Sequence, residues 1–399
     1  MKRFWFIITL IMAVSSCSMK KQPPPPPHPL LMNEDWINDV KASADNLDYL
    51  DKPRPYDLQN KIVGPFSNIE IRGNLQVRLV GQDYNSYAAT GTDASKIGVV
   101  VWDDTLYITE PERQLPENVT DAIIVVGIPD LQNFTVEGDA KIVGMNLRSD
   151  RLNVTSVGNS KIALKGNLNL SRLKAEGNGW IAINGIDSQA LVITIIGNEQ
   201  VNLAGRMSPN YILHKGNGTL NLVGSTGGLS NIFAEGRGTT AIQGFTNLQS
   251  IKTYDNARVY LYWVKGCKDL KITAYGNSEI GLAGTTDSIK VATHDNAQFL
   301  GQYLHAKYAE AKSDGSSHIN IASSKKMFAR ADGGSSIYYY GPPDKLSGFG
   351  SGLIIPAWRS TATLPLPNRA TTYPSIGMIT PTNFASEPNW DYGVWKIQK

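Results

Sequence analysis

The chain has 399 residues, of which 41% are hydrophobic and 18% are charged, and its 38 basic and 35 acidic residues give a net charge of +3. This balance gives no electrostatic reason to expect a nucleic-acid-binding protein, and the low charge argues against a disordered chain. Two cysteines are too few for a disulfide-dense scaffold.

The N-terminal seventeen residues have the order of an export signal. Basic residues at positions 2 and 3 precede an apolar run over 4–14, and small residues lead to Cys17. The run is too short to span a bilayer as a helix. The segment resembles the lipobox of bacterial lipoproteins, which predicts a signal peptide at 1–16 and acylation, including palmitate, at Cys17. Ser18, rather than aspartate, follows the cysteine, which by resemblance to the sorting rules of Gram-negative lipoproteins implies the outer membrane. The alternative is an ordinary signal peptide with a chance cysteine.

A proline-rich segment follows this anchor. Six of the seven residues 23–29 are proline, which favours an extended polyproline II rod and therefore a semi-rigid spacer. An SH3-type ligand is the alternative interpretation. Residues 33–60 are predicted to form one or two short helices, so 17–62 comprise the lipid anchor, the spacer and a helical lead-in.

The middle of the chain contains a repeat of about 20 residues. Glycine or aspartate recurs at eleven positions with intervals of 18 to 21 residues. A period of this length is typical of a solenoid. The eleven positions are Gly138, Gly158, Gly177, Gly197, Gly216, Gly236, Asp255, Gly276, Asp295, Gly315 and Gly333.

Apolar residues recur in step with these turns. One ladder stands four residues after each turn, as at Ile142 and Ile162, and a second stands four residues before it, as at Val154 and Leu173. Alternation with polar residues predicts strands with one buried face. We therefore expect an all-β protein whose residues 63–341 form a right-handed, single-stranded parallel β-helix of roughly eleven coils.

Asparagine follows most of the turn positions. Glycine and asparagine tolerate a positive φ, and stacked amides can hydrogen-bond from coil to coil. The column is thus predicted to be a structural ladder rather than a catalytic or metal-binding one. Its members are Asn159, Asn178, Asn198, Asn217, Asn256, Asn277 and Asn296.

The chain resembles the bacterial family of putative auto-transporter adhesins with a head GIN domain. The resemblance rests on the opening segment 66–77, on residues 104–108 and on the repeated Gly-Asn turns, and it covers about residues 65–340. It implies a β-helix at the cell surface or in the periplasm, usually lipid-anchored, with no enzymatic residues to transfer.

The common enzyme motifs are absent from the sequence. The five histidines show no metal-ligand spacing, and no nucleotide-binding, serine-hydrolase or zinc-protease signature occurs. Asp255 and Asp295 lie two coils apart, within the range of paired carboxylates, yet both stand in the glycine column. We therefore predict a non-enzymatic protein without metal or cofactor, with a carbohydrate-active enzyme as a less favoured alternative.

A binding face is predicted on the strand that follows each turn. Its outward positions carry amides and hydroxyls together with aromatic rings, a composition that suits a glycan or a protein ligand, although an ordinary solvated sheet would look similar. Cys267 is expected to be buried. The aromatic residues of the predicted face are Trp180, Tyr260, Tyr262, Tyr338 and Tyr340.

Residues 342–399 are rich in proline and aromatic residues and lack the repeat. They are predicted to cap the last coil or to dock an envelope partner. Together these features favour an outer-membrane lipoprotein that acts in adhesion or surface interaction. The second hypothesis is a periplasm-facing structural component of an envelope or secretion assembly.

Overall fold

A computed structural model describes residues 61–62, 64–91, 94–110 and 122–357. The predicted signal peptide, Cys17, the proline spacer, the helical lead-in and residues 358–399 lie outside the described residues. Short strands and one 3-10 turn come first in the chain. They are β1 (Lys61–Ile62), β2 (Asn68–Arg72), β3 (Gln76–Gly81), β4 (Ser86–Thr90), the 3-10 turn (Ala94–Lys96), β5 (Gly98–Trp102), β6 (Thr105–Thr109), β7 (Ile123–Ile128) and β8 (Asn133–Gly138).

Ten long strands form the body, and three short ones end it. The long strands are β9 (Lys141–Gly158), β10 (Lys161–Gly177), β11 (Trp180–Gly197), β12 (Gln200–Gly216), β13 (Thr219–Gly236), β14 (Thr239–Thr253), β15 (Arg258–Ala274), β16 (Glu279–Thr293), β17 (Gln298–Ser313) and β18 (His318–Ala331). The last three are β19 (Ser336–Tyr340), β20 (Lys345–Phe349) and β21 (Leu353–Ala357).

Each long strand makes one coil and pairs in parallel with the next. In β13, for example, Leu220 lies opposite Val201 of β12, and Ile232 lies opposite Ile212. Every coil therefore has a leading arm just after the turn and a trailing arm just before the next one. The leading arms stack into one sheet, the leading sheet, and the trailing arms into another, the trailing sheet. The predicted all-β solenoid of about eleven coils is confirmed.

The two apolar ladders of the sequence line the interior. Residues such as Phe134, Val201, Ile212, Leu220 and Phe299 have no exposed surface. Burial of these side chains is the main favourable term, at about 25 cal/mol per Å² of apolar surface removed from water. Because each coil buries its apolar face only against its neighbours, the coils stabilise one another.

The two ends of the solenoid differ. At the N-terminal end, β1, β4 and β5 run antiparallel to their partners, so the leading sheet ends at β1 and the trailing sheet at β5. At the C-terminal end, β20 and β21 continue the parallel ladder on β18 and β19. The β-helix therefore extends to Ala357, beyond residue 341, where the repeat pattern of the sequence ends.

All eleven turn positions adopt a positive φ, including Asp255 at 60° and Asp295 at 62°. A second column, eight residues after the turn, was not recognised in the sequence. It also turns the chain sharply, and its members with positive φ are Asn146, Gly185, Gly205, Gly224, Gly244, Trp263 and Gly284. Glycine dominates there because a Cβ would collide with the backbone of the preceding coil, as at Gly205, 2.2 Å from the Ile186 carbonyl oxygen.

The asparagine column forms side-chain hydrogen bonds along the solenoid. Asn178 Nδ2 donates to Asn159 Oδ1 at 3.0 Å, Asn198 donates to Asn178 at 2.6 Å, and Asn217 donates to Asn198 at 3.0 Å. Arg237 occupies the next position, and the bonds resume from Asn277 to Asn256 at 3.2 Å and from Asn296 to Asn277 at 3.0 Å.

We predict that the substitution Asn198→Ala lowers the free energy of unfolding by about 1–2 kcal/mol, because it removes two hydrogen bonds from the middle of the ladder. Urea unfolding followed by circular dichroism measures this change. Arg237→Asn is the complementary variant, since it supplies an amide where the ladder is interrupted, and it should raise stability by up to about 1 kcal/mol. Equal stability of both variants and the parent would show that the ladder contributes nothing.

Candidate functional site

No metal-binding cluster appears among the described residues. No group of three or more histidine, cysteine, aspartate or glutamate side chains there could hold a metal ion. Asp255 and Asp295 occupy turn positions, and the Asp295 carboxylate accepts a 3.0 Å hydrogen bond from the Gly276 backbone N–H. Both aspartates therefore take the place of turn glycines. Within the described ranges, no helix is long and apolar enough to cross a membrane.

The aromatic residues of the predicted binding face do not form one cluster. Trp180, Tyr260 and Tyr338 belong to the leading sheet, but four coils separate each from the next, or roughly 19 Å at the spacing between strands. Tyr340 lies on the same strand as Tyr338 and donates a 3.2 Å hydrogen bond to Asn320 Oδ1. The side chain of Tyr262 lies outside the described residues.

Tyr260 is not available to stack on a ligand. Only 8% of the residue is exposed, and its ring fills the space above Gly281, where a Cβ would lie 2.8 Å from Tyr260 Cδ1. Its hydroxyl donates to Glu279 Oε1 at 2.7 Å, and burial raises its pKa. Asn202 and Gln243, also on the outward side of this sheet, are buried as well. In its middle coils, the leading sheet therefore leaves little of these side chains exposed to a ligand.

A continuous aromatic stack lies instead on the trailing sheet, directly before the turn. The Tyr254 and Tyr275 rings are parallel within 7° at 5.0 Å, and Tyr275 stacks on His294 at 4.6 Å. The Phe233 ring extends the stack at 5.5 Å from Tyr254 but is tilted by 41°, and His294 Nδ1 lies 2.8 Å from Asp314 Oδ2. The sequence analysis missed this stack, although the position before each turn in the 20-residue alignment contains three of its four rings.

Basic and apolar side chains extend this surface. The Lys215 ammonium lies over the Phe233 ring at 5.3 Å, and that of Lys252 lies over Tyr254 at 5.1 Å. Ile196 and Tyr211, in neighbouring coils of the same sheet, are 39% and 41% exposed. We call this surface the trailing band. Its members are Ile196, Tyr211, Lys215, Phe233, Lys252, Tyr254, Tyr275 and His294.

Two titratable side chains lie inside the solenoid under the turns. His214 is 1% exposed, its Nδ1 lies 2.9 Å from Thr240 Oγ1, and burial lowers its pKa to about 4. Its ring fills the space at Gly238, where a Cβ would lie 2.7 Å from Nε2. In the same way, Glu199 Oε2 would lie 2.9 Å from a Cβ at Gly179. These glycines therefore make room for large polar side chains of the neighbouring coil.

Glu199 is fully buried, and neither carboxylate oxygen makes a hydrogen bond. Burial raises its pKa, and the nearby Gly179 backbone opposes this shift only in part. Because the folded-state pKa lies above the unfolded one, folding favours the protonated form, and stability falls as the pH rises through the folded-state pKa.

The substitution Glu199→Gln should therefore raise stability at pH 7 by about 1–3 kcal/mol. The advantage should shrink toward pH 4, where the parent carboxyl is protonated. Urea unfolding across this pH range measures the difference. Glu235→Gln is the matched control, since Glu235 lies on the surface and pairs with Lys215 at 3.0 Å, so this substitution should have little effect. A pH-independent difference for Glu199→Gln would contradict the prediction.

Cys267 is buried, as the sequence analysis expected, and its Sγ accepts a hydrogen bond from the Leu248 backbone N–H at 3.0 Å. Burial raises the pKa of its thiol, which disfavours the reactive thiolate. This cysteine therefore has a packing role.

Three solved structures are similar to this chain over most of their length. A putative lipid binding protein from Parabacteroides distasonis is 15% identical, with 74% of this chain and 95% of that chain covered and a TM-score of 0.24. A putative adhesin from Bacteroides fragilis is 17% identical, with 74% and 94% covered and a TM-score of 0.22. A putative adhesin from Parabacteroides distasonis is 12% identical, with 74% and 94% covered and a TM-score of 0.27. No curated protein matches the chain.

The family model described as putative auto-transporter adhesin, head GIN domain, matches residues 65–253 and 227–343. The two matches together cover more than half of the chain, and they agree with the resemblance found in the sequence. The description names an adhesin-like role rather than a catalytic one. The chain therefore belongs to the family of putative auto-transporter adhesins with a head GIN domain.

Proposed function

We propose that this protein is an outer-membrane lipoprotein, anchored through Cys17, whose β-helix binds a protein ligand during adhesion or surface interaction. The trailing band is the observation that carries the proposal. Monomeric proteins rarely expose contiguous apolar and aromatic surface unless it is used for interaction. Ile196 and Tyr211 are exposed on the same sheet, two coils and one coil before the coil of Phe233.

The geometry of the stack favours a protein over a glycan. Sugars bind to free ring faces, but the faces of Tyr254, Tyr275 and His294 cover one another at 4.6 to 5.0 Å. What the stack offers a ligand is a row of ring edges beside the Lys252 ammonium group and the Lys215–Glu235 ion pair. Such a ridge suits an apolar protein surface that also carries acidic groups.

Location and anchoring are tested together. For the location, cells that express the full chain are treated with protease, either intact or after permeabilisation of the outer membrane. For the anchor, the Cys17→Ser variant is compared with the parent, and it should be released from the membrane and lose palmitate labelling. Digestion on intact cells supports the adhesin proposal. Protection until permeabilisation would overturn the surface location and favour the periplasm-facing assembly component.

Binding is tested with the double variant Ile196→Ser and Tyr211→Ser in the full chain. Cells are applied to plates coated with fibronectin, laminin or mucin, and attachment is counted. We expect parent cells to attach to at least one protein coat and the variant to lose most of this attachment, because apolar anchors dominate interface energies. The matched control, Gln200→Ser and Thr239→Ser on the leading sheet, should attach like the parent. Attachment to mucin that deglycosylation abolishes would favour a glycan ligand and contradict the proposal.

A further inference from the structure

The last strand of the trailing sheet at its N-terminal end is β5. Among the described strands it pairs only with β6, in antiparallel register, with Val100 opposite Tyr107 and Trp102 opposite Thr105. Its other edge therefore presents backbone N–H and C=O groups that no described strand covers. Such an edge is a template for another strand.

The side chains of β5 alternate between the hydrophobic core and the protein surface. Val99 and Val101 pack against the hydrophobic core, which fixes the strand in place. Val100 and Trp102 point the other way and are 58% and 69% exposed. These are large exposed fractions for apolar side chains, and the two residues stand next to each other on one face.

This edge lacks the features with which proteins normally block strand addition. Charged residues and proline on an edge strand disfavour pairing. At the other end of the solenoid, β20 begins with Lys345 and β21 contains Pro356. The sequence of β5, Gly-Val-Val-Val-Trp, contains neither a charge nor a proline. It is therefore the least protected of these edges.

We infer that β5 pairs antiparallel with β5 of a second copy, about a two-fold axis at Val100. An antiparallel self-pairing closes into a dimer, because the same surface serves both partners. It also keeps the two copies of Asp103 apart, whereas a parallel pairing would place these two like charges side by side. The trailing sheets of both copies then form one sheet. This inference goes beyond the proposed adhesive function and does not depend on it.

The register predicts which engineered cysteines in β5 can form a disulfide between the two copies. At the two-fold axis, position 100 faces its own copy with a Cα–Cα distance of about 5 Å, which suits a disulfide. The two copies of position 102 lie about 14 Å apart, since four residues of strand rise separate them. Trp102 is the more exposed of the two residues, so exposure alone would favour cross-linking at position 102.

The experiment compares Val100→Cys and Trp102→Cys in the full chain, expressed in cells with its leader and treated with copper phenanthroline. We expect at least about tenfold more disulfide-linked dimer for Val100→Cys than for Trp102→Cys or the parent. The parent and the reduced Trp102→Cys protein should sediment as dimers in mild detergent, and Val100→Lys should sediment as a monomer. Equal cross-linking at both positions would overturn the antiparallel register. A monomeric parent would overturn the dimer and indicate that β5 is free or covered by the chain's own residues.

Discussion

The substitution Gly224→Ala is expected to lower the free energy of unfolding by at least about 3 kcal/mol, enough to unfold part of the solenoid. Gly224 belongs to the second turn column and has a φ of +97°. A Cβ there would lie 1.9 Å from the Gly205 carbonyl oxygen in the preceding coil. Two costs therefore add: an unfavourable backbone conformation for alanine, and a collision that only separation of the two coils can relieve.

Gly227→Ala is the matched control for this prediction. Gly227 lies on the same strand with a φ of +135°, but a Cβ there would meet no atom within 4 Å. This variant therefore has the unfavourable backbone conformation without the collision. Its loss of unfolding free energy should be smaller than that of Gly224→Ala by about 2 kcal/mol or more. Thermal and urea unfolding of both variants measures the difference. Equal losses would mean that contact between coils at this corner contributes nothing.

Acidification is expected to destabilise the protein through His214, and the substitution His214→Gln should remove this part of the acid sensitivity. The buried imidazole has a folded-state pKa of about 4, whereas the unfolded chain takes up the proton near pH 6.5. Stability from the neutral ring is fully present above pH 6.5 and is lost as the pH falls to about 4. The loss is on the order of 3 kcal/mol.

Urea unfolding of the parent and of His214→Gln from pH 7 to pH 4 measures this effect. The two proteins differ only at position 214, so the difference between the two profiles isolates the buried ring. Glu199, in the same coil, acts in the opposite direction, because its raised pKa favours the folded state at low pH. Parallel profiles for the parent and His214→Gln would contradict the prediction and place a solvated ring at position 214.

Much of the fold follows from the sequence because a solenoid repeats one local pattern. The 20-residue spacing identified the coil, and the alternation of apolar residues around Ile162 and Leu173 identified the two arms. The turn column could be predicted because positive φ is a property of single residues, so Asp255 and Asp295 could be recognised as glycine substitutes. The aromatic stack could also have been predicted, since parallel pairing of the coils in register places Tyr254, Tyr275 and His294 above one another.

The sequence by itself determined the solenoid and its turns, whereas the tertiary structure decided how its surfaces and ends are used. Tyr260 belongs to an outward column, yet Gly281 in the next coil lets its ring lie flat and buried. Glu199 and His214 are interior because Gly179 and Gly238 leave room for them. The antiparallel edge at β5 likewise lies outside the repeat. For the buried side chains the physical reason is that burial depends on neighbours about 20 residues or more away in the adjacent coil, which a local pattern does not specify. β5 pairs locally with β6, but whether another strand covers its second edge depends on the arrangement of the whole sheet.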